Sequence, residues 1–313
     1  MIRRYTREIS VAAAYVVLLL LLYAQQRFTG QQAFFNGGNL LDLLVTMSPV
    51  LVMGVGMTLV ILARHIDISV GWQFSLCGLV AALMAQAGVS MIVVVPATVL
   101  LGCALGALNA AFVVGLNLPS IVVTLATMVI YRESIRWLRR GEAVRSLTHG
   151  FQWFGASQEA GQWIVIGSAV AIFVLFAIGL RYLAAGRGVY ATGSDQEAAR
   201  LAGIRPRRVV CGVFVVMGGL SGLAALLNAI RFPDVYPNLG ADRELQVIAA
   251  VVVGGVAISG GRGTLLGVLV GVALLVTLRP ALTTIGLPAE WEKALQGLII
   301  LLAVVTDALG RRR

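Results

Sequence analysis

The sequence RGVYATGSDQEAARLAGIRPRRVV, residues 187–210, is a polar stretch between two long apolar runs. Ser194 precedes Glu197 by three residues, which is the spacing of a capping box and predicts that a helix begins at Ser194. Gly203 can end that helix in the left-handed conformation, and Pro206 blocks its continuation. A helix of about two turns is too short to be stable alone in water. The sequence therefore predicts a short helix that is docked on another surface.

The tripeptide Glu197, Ala198, Ala199, with Gly203 four residues further on, resembles the EAA motif of bacterial ABC-transporter permeases. In that family this loop, here about residues 186–208, is a coupling helix that lies in a cleft of the cytoplasmic ATPase subunit. An ordinary solvated loop helix is the alternative, because E-A-A is a common tripeptide. The resemblance implies the following ATPase-coupling residues: Ser194, Glu197, Ala198, Ala199, Arg200 and Gly203.

The composition is that of an integral membrane protein. Of 313 residues, 59% are hydrophobic and 12% are charged, whereas a soluble domain has about 25% charged residues. The net charge of +10 comes mostly from arginine, and in a membrane protein such an excess is first a topology signal rather than a sign of nucleic-acid binding. The cysteines and histidines have no metal-ligand spacing, so no metal site is expected: Cys77, Cys103, Cys211, His65 and His149.

Spanning helices need about 20 mostly apolar residues. Ten stretches qualify, although the third and eighth are short: 9–24, 40–63, 73–86, 91–116, 121–138, 163–182, 209–230, 245–258, 265–284 and 291–309. We therefore predict an all-α integral membrane fold of about ten transmembrane helices, forming a single permease domain over residues 1–313. A cleaved signal peptide is the alternative for the first stretch.

The distribution of basic residues predicts the orientation. With ten spans and a cytoplasmic N-terminus, fourteen of the 24 basic residues lie on the cytoplasmic side, mainly in the central loop and both termini, where the positive-inside rule is most reliable. Both termini are therefore expected in the cytoplasm. The five arginines within residues 132–145 argue the other way.

Two stretches interrupt the helical pattern, residues 64–71 and residues 254–263. Ile66-x-Ile68-Ser69-x-Gly71 aligns with a matching pattern 190 residues later. The match is either a relic of an internal repeat, which is common in transporters, or chance in a chain rich in Ile, Val and Gly. Gly263, Gly267 and Gly271 form a small-residue ladder, which predicts close helix packing.

Asp67 is the most informative charged residue near the membrane, because an acid is costly at the bilayer centre. It is either an interfacial helix cap with Arg64 or His65 nearby, or a residue that gates or lines the substrate path. Other polar residues are candidates for the same path, or else form helix–helix hydrogen bonds. The candidate path residues are Asp67, Ser69, Asn109, Thr124 and Asn228.

No catalytic motif occurs in the sequence: there is no G-x-x-x-x-G-K-[ST], no H-E-x-x-H and no G-x-S-x-G. The chain is therefore expected to be non-catalytic and to bind no ATP itself. The acidic residues near spans all lie towards span ends, which weighs against a proton-driven carrier. They are Asp42, Asp67, Glu133, Glu292 and Asp307.

Four motifs, in order, resemble the membrane subunits of ribose-type sugar ABC importers, a branch that includes permeases for rhamnose and autoinducer-2. The motifs lie in residues 66–71, 118–125, 191–204 and 253–267. The resemblance covers nearly the whole chain and implies a type II importer fold with two permease subunits. It also implies two cytoplasmic ATPases that bind ATP and Mg, and a periplasmic sugar-binding protein. The I-x-L-P of the usual EAA loop is replaced here by residues 204–207.

We expect a permease subunit that moves a sugar-like solute inward across a bacterial inner membrane, without contact to nucleic acid. A branched-chain amino-acid permease and an ATP-independent secondary carrier are the alternatives. Arg200, Arg205, Arg207 and Arg208 are expected to contact the ATPase or anionic membrane lipid.

Overall fold

The computed structural model describes residues 6–29, 35–147, 150–288 and 290–311. Arg3, Arg4, His149, Arg312 and Arg313 lie outside these ranges. The helices are α1 Thr6–Thr29, α2 Gly37–Leu62, α3 Val70–Gln86, α4 Met91–Ala110 with a π-helical turn Ala111–Gly115, α5 Ser120–Arg139, α6 Gln158–Tyr182 after a 3-10 turn Gln152–Gly155, α7 Ala184–Ser194, α8 Gln196–Leu201, α9 Pro206–Ala229, α10 Arg243–Val253, α11 Leu265–Thr284 and α12 Trp291–Arg311.

The predicted all-α membrane class is confirmed. Six helices in the described part of the chain are long and apolar enough to cross a membrane: α1, α2, α4 with its π-helical turn, α6, α9 and α11. Each of the ten predicted stretches overlaps a helix, but the eighth, 245–258, runs five residues beyond the end of α10 at Val253, and α7 was not predicted. The number of about ten spans stays a prediction, because α3, α5, α10 and α12 do not meet the same criteria of length and composition.

The membrane helices differ in how deeply they lie in the protein. In α2, 89% of the membrane-length window is buried, and α11 and α9 follow with 72% and 67%. In α1 only 6% is buried. A helix that is apolar all round is stable either inside a protein or against lipid. We therefore place α2, α9 and α11 in the core and α1 at the lipid-facing surface.

Glycines set the distance between α4 and α9. A side chain at Gly102 would overlap the carbonyl oxygen of Gly218, and a side chain at Gly218 would overlap that of Gly102. Gly106 and Gly222 repeat the arrangement one turn away, against the carbonyl oxygens of Phe214 and Thr98. Small residues spaced by four let two helix backbones touch, and this pair of ladders was not predicted.

The glycines predicted as a ladder lie only partly on α11. Gly267 and Gly271 are in the helix, whereas Gly263 precedes it in the α10–α11 link with φ of 147°. A side chain at Gly271 would overlap the carbonyl oxygen of Ala250, and a side chain at Gly254 would lie 2.6 Å from that of Gly267. α10 and α11 therefore meet backbone to backbone.

Hydrogen bonds between the loops show which elements lie together at one end of the molecule. At what we call the far end, Gln86 donates to the carbonyl of Arg145, and Val144 pairs with Val235. The start of α2 lies at the same end, since Asp42 accepts from Gln162 at the start of α6. α2 is 26 residues long, or about 39 Å, so its last residue lies at the opposite end.

Candidate functional site

The predicted short helix exists, but it starts one residue later than predicted. Ser194 is the last residue of α7, and Asp195 is the N-cap of α8. The Asp195 carboxylate Oδ1 accepts from the backbone N–H groups of Glu197 at 2.8 Å and Ala198 at 3.0 Å. The capping-box prediction was wrong because Asp caps as well as Ser does, and Ser194 is already part of the preceding helix.

The predicted end of the helix is confirmed. Gly203 has φ of 82°, and its N–H donates to the carbonyl of Arg200. The N–H of Ile204 reaches back to the carbonyl of Ala199 at 3.0 Å. These two bonds form a Schellman motif, which closes the last turn of α8. Pro206 is the first residue of α9.

α8 presents most of its surface to solvent. Of the predicted coupling residues only Ala199 is buried, and Ser194, Glu197, Ala198, Arg200 and Gly203 are exposed. Glu197 and Arg200 form an exposed ion pair at 3.0 Å. The sequence analysis missed Leu201, whose side chain is 81% exposed at the end of the helix. Leu201 gives the otherwise charged helix an apolar contact area.

α7 connects this exposed helix to both irregular stretches, at what we call the junction of Leu62, Gly193 and Gly261. A side chain at Gly193 would overlap the carbonyl oxygen of Leu62, the last residue of α2. The same carbonyl accepts from the N–H of Gly261 at 2.9 Å. Tyr190 of α7 donates its hydroxyl to the carbonyl of Gly263 at 2.9 Å. The second stretch also approaches the first, since a side chain at Gly260 would lie 3.0 Å from Cβ of Arg64. Whether the two stretches are a repeat stays a prediction.

A second polar group, which we call the Asp67 cluster, lies in the link between α2 and α3. Asp67 is completely buried. Its Oδ1 accepts from the backbone N–H of Ser69 at 2.9 Å and from the Ser69 hydroxyl at 2.6 Å. Its Oδ2 accepts from the side-chain amides of Gln73 and Asn109, each at 3.4 Å. Gln73, on the first turn of α3, was not predicted.

Ser69 is the centre of this cluster. Its hydroxyl oxygen accepts from Gln73 at 2.6 Å and from Asn109 at 2.9 Å. Burial raises the pKa of the Asp67 carboxyl, and the hydrogen bonds from Ser69, Asn109 and Gln73 oppose that rise. The cluster ties the α2–α3 link to α3 and α4. In the described ranges no three His, Cys, Asp or Glu side chains come together to hold a metal.

The other two predicted path residues lie outside the cluster. Thr124 donates to the carbonyl of Ser120 at 2.9 Å within α5. This part of α5 lies next to the α2–α3 link, because the Ser120 hydroxyl oxygen accepts from the N–H of Ile66. Asn228 lies apart and accepts from Arg243 at 3.5 Å. All five predicted residues are buried. The structure thus brings Asp67, Ser69 and Asn109 together, and their part in a substrate path stays a prediction.

Comparison with known proteins identifies the family. Residues 39–304 match the family described as branched-chain amino acid transport system / permease component. The chain belongs to this permease family. It is therefore a membrane transport component, and the resemblance inferred from its motifs is confirmed.

Three relatives are similar over most of their length. The chain is 32% identical to the ribose import permease protein of Escherichia coli, over 97% of this chain and 96% of that protein. It is 34% identical to the ribose import permease protein of Haemophilus influenzae, over 88% and 86% respectively. It is 32% identical to the autoinducer 2 import system permease protein of Salmonella paratyphi B, over 84% and 75%. No solved structure matches the chain.

Proposed function

We propose that this chain is the membrane-spanning subunit of an ATP-driven ABC importer, and that it carries a sugar or sugar-like solute inward. The observation that carries the proposal is the nearly full-length similarity to import permeases named for ribose and autoinducer 2. Ribose-type sugars, rhamnose and autoinducer-2 are the solutes to test first.

The exposed helix α8 supports coupling to a cytoplasmic ATPase. Leu201 offers apolar area, and Glu197 and Arg200 offer charge around it. Such an arrangement, an apolar anchor with a polar rim, is typical of protein interfaces. The ATPase would bind ATP and Mg and perform the hydrolysis, while this chain would carry the solute.

The junction gives this docking a mechanical consequence. Force on α8 reaches α7 across one residue, Asp195, and α7 contacts the end of α2 and the α10–α11 link at Gly193. Backbone-to-backbone contacts transmit displacement because they contain no flexible side chain to absorb it. ATPase closure would therefore move α2 and the α10–α11 link together.

The orientation predicted from the basic residues indicates where the remaining partners bind. The end that carries α8 lies in the cytoplasm, as do both termini, and the chain lies in the bacterial inner membrane. A periplasmic sugar-binding protein delivers the solute at the far end, and a second permease subunit, identical or paralogous, completes the path. The exposed Arg205, Arg207 and Arg208 contact the ATPase or anionic lipid.

Co-purification tests the coupling. The wild-type chain in detergent is expected to retain its cognate ATPase, and Glu197→Arg and Leu201→Asp are expected to lose it. Both side chains are exposed, so the fold should survive either change. Glu159→Arg makes the same charge change at the far end and serves as the control. Retention of the ATPase by both α8 variants would refute the docking role.

Uptake into cells tests the solute and the energy source. Unlabelled ribose or rhamnose should compete with uptake, and leucine should not. The family description favours branched-chain amino acids as the second candidate, and strong competition by leucine would establish it. Collapse of the proton gradient with ATP intact should leave uptake unchanged, whereas a secondary carrier would stop.

A further inference from the structure

A cavity of about 750 Å³ opens at the far end of the chain between α2, α10, α11 and α12. It contains none of the residues that the sequence analysis assigned to the path. Its volume is within the range of small-molecule sites, about 300–1,000 Å³. Two thirds of its lining residues are polar or charged, so a polar occupant would find hydrogen-bonding groups on most sides of the cavity.

The charged groups of the lining balance one another. Asp42, Asp242 and Glu292 face Arg243, Arg279 and Lys293, so the lining has no net formal charge. Lys293 pairs with Asp242, and Arg279 lies 3.8 Å from Glu292. Among the lining residues, a solute with a net charge therefore finds no excess of the opposite sign. Arg231 lies behind the lining, where it donates to Thr46 at 3.0 Å and adds one positive charge near Asp42.

Two charged groups remain outside these ion pairs. The Arg243 guanidinium donates to the amide oxygen of Asn228 at 3.5 Å and stacks over the Phe74 ring at 5.2 Å. The Asp42 carboxylate accepts from the amide of Gln162 at 3.3 Å. Within the described ranges, neither has an oppositely charged group within ion-pair distance. One wall thus offers a spare donor and another a spare acceptor.

Neutral hydroxyl and amide groups complete the lining on all four helices: Thr46 on α2, Gln246 on α10, Thr283 and Thr284 on α11, and Gln296 on α12. Four of them already make at least one hydrogen bond within the protein and keep a further donor or acceptor for a bound molecule: Thr46, Thr283, Thr284 and Gln296. A molecule with hydroxyls on every side can use these remaining donors and acceptors, whereas an aliphatic side chain cannot.

From this balance of charge and hydrogen-bonding groups, we infer that the cavity is the entry site for an uncharged polyhydroxyl solute, held between Asp42 on α2 and Arg243 on α10. The inference rests on the proposed function and adds to it the location of the solute and the chemistry that selects it. The Asp67 cluster lies apart from this cavity, since none of its residues belongs to the lining.

Filling the cavity is the test. Gln246→Trp places an indole in the cavity, and Leu245→Trp places one on the neighbouring, exposed position of the same helix, outside the lining. Ribose uptake is measured in proteoliposomes that contain the permease and its ATPase, supplied with saturating loaded binding protein. Gln246→Trp should lower the maximal rate by about tenfold or more, and Leu245→Trp should stay within about twofold.

A second pair of variants keeps the test decisive if the tryptophan prevents folding. Gln246→Cys and Leu245→Cys are made in a background where Cys77, Cys103 and Cys211 are replaced by alanine, and are modified with a bulky thiol reagent after reconstitution. Modification at position 246 should stop ribose uptake and modification at position 245 should not.

The outcomes distinguish a failure of the cavity assignment from a failure of the proposed function. Equal ribose uptake by both modified proteins would overturn the cavity assignment and leave the proposed function intact. If the wild type carries leucine and no sugar, the proposed function fails, and the polyhydroxyl assignment with it. Two further variants test the class of solute. Asp42→Asn gives the lining a net positive charge and should lower the rate for ribose relative to a sugar acid. Arg243→Gln gives it a net negative charge and should lower the rate for ribose relative to an amino sugar.

Discussion

The backbone N–H of Gly261 donates a 2.9 Å hydrogen bond to the carbonyl oxygen of Leu62. Leu62 is the last residue of α2, and its carbonyl has no partner within its own helix. The bond therefore satisfies a buried acceptor and joins the most buried membrane helix to the α10–α11 link. Because Gly193 packs against the same carbonyl, one point connects α2, α7 and that link.

Gly193→Ala should disturb this point. A methyl group at position 193 would overlap the Leu62 carbonyl oxygen, which belongs to the backbone and cannot rotate away. Overpacking of this kind costs about 1–3 kcal/mol, so the melting temperature in detergent should fall by roughly 2–10 °C. Gly188→Ala on the same helix is the control, because its nearest neighbour would be a Val209 methyl at 3.6 Å. Equal melting of the two variants would contradict the close contact.

Asp195→Ala should loosen α8, whereas Ser194→Ala should not. Asp195 accepts the two N–H groups that begin the helix, and loss of an N-cap costs about 1 kcal/mol. Hydrogen exchange at the amides of Glu197 and Ala198 should become faster in Asp195→Ala alone, and ATPase binding should weaken. A larger effect of Ser194→Ala would restore the capping box predicted from the sequence.

Asp67→Ala should be more destabilising than Asp67→Asn. The alanine leaves the backbone N–H and the hydroxyl of Ser69 without their acceptor, at about 1–3 kcal/mol for each buried group left unpaired. Gln73 and Asn109 keep their shorter bonds to the Ser69 hydroxyl oxygen. The asparagine keeps an oxygen for Ser69 and gives up only the Oδ2 atom, which accepts from Gln73 and Asn109 at 3.4 Å. Thermal melting of the two purified variants measures the difference. Similar melting temperatures would mean that the carboxylate bonds contribute little.

The orientation is tested by labelling cysteines in intact cells, in the cysteine-free background. A membrane-impermeant maleimide should label Glu159→Cys at the far end and should not label Arg200→Cys on α8. Both positions are exposed, so lysed cells provide the control in which both should react. Labelling of Arg200→Cys in intact cells would reverse the orientation and remove α8 from the reach of an ATPase.

The short coupling helix illustrates what could be predicted from sequence. Its C-terminus was predictable because Gly203 and Pro206 act locally through backbone geometry. Its first residue was not, because Ser194 and Asp195 are both good caps. The choice depends on where α7 ends, and α7 ends where Gly193 meets Leu62, 131 residues earlier in the chain.

The candidate path residues illustrate the same limit. Asp67, Ser69 and Asn109 were identified by residue type, because polar groups in apolar stretches need partners. Gln73 looked like any amide at the start of a span. The cavity at the far end could not be recognised, because its lining comes from four helices whose polar residues lie near span ends, where polar residues are ordinary.

The sequence alone determined the membrane class, the approximate positions of the long apolar helices and the family resemblance, since these depend on local apolar length and on short motifs. It did not predict α7. The tertiary structure alone decided which helices lie inside. α6 has a mean hydropathy of 2.6 and is 22% buried over its membrane-length window, whereas α2 has 2.1 and is 89% buried. The reason is physical: lipid tails and a protein core are both apolar, so hydropathy cannot distinguish a helix that faces one from a helix that faces the other.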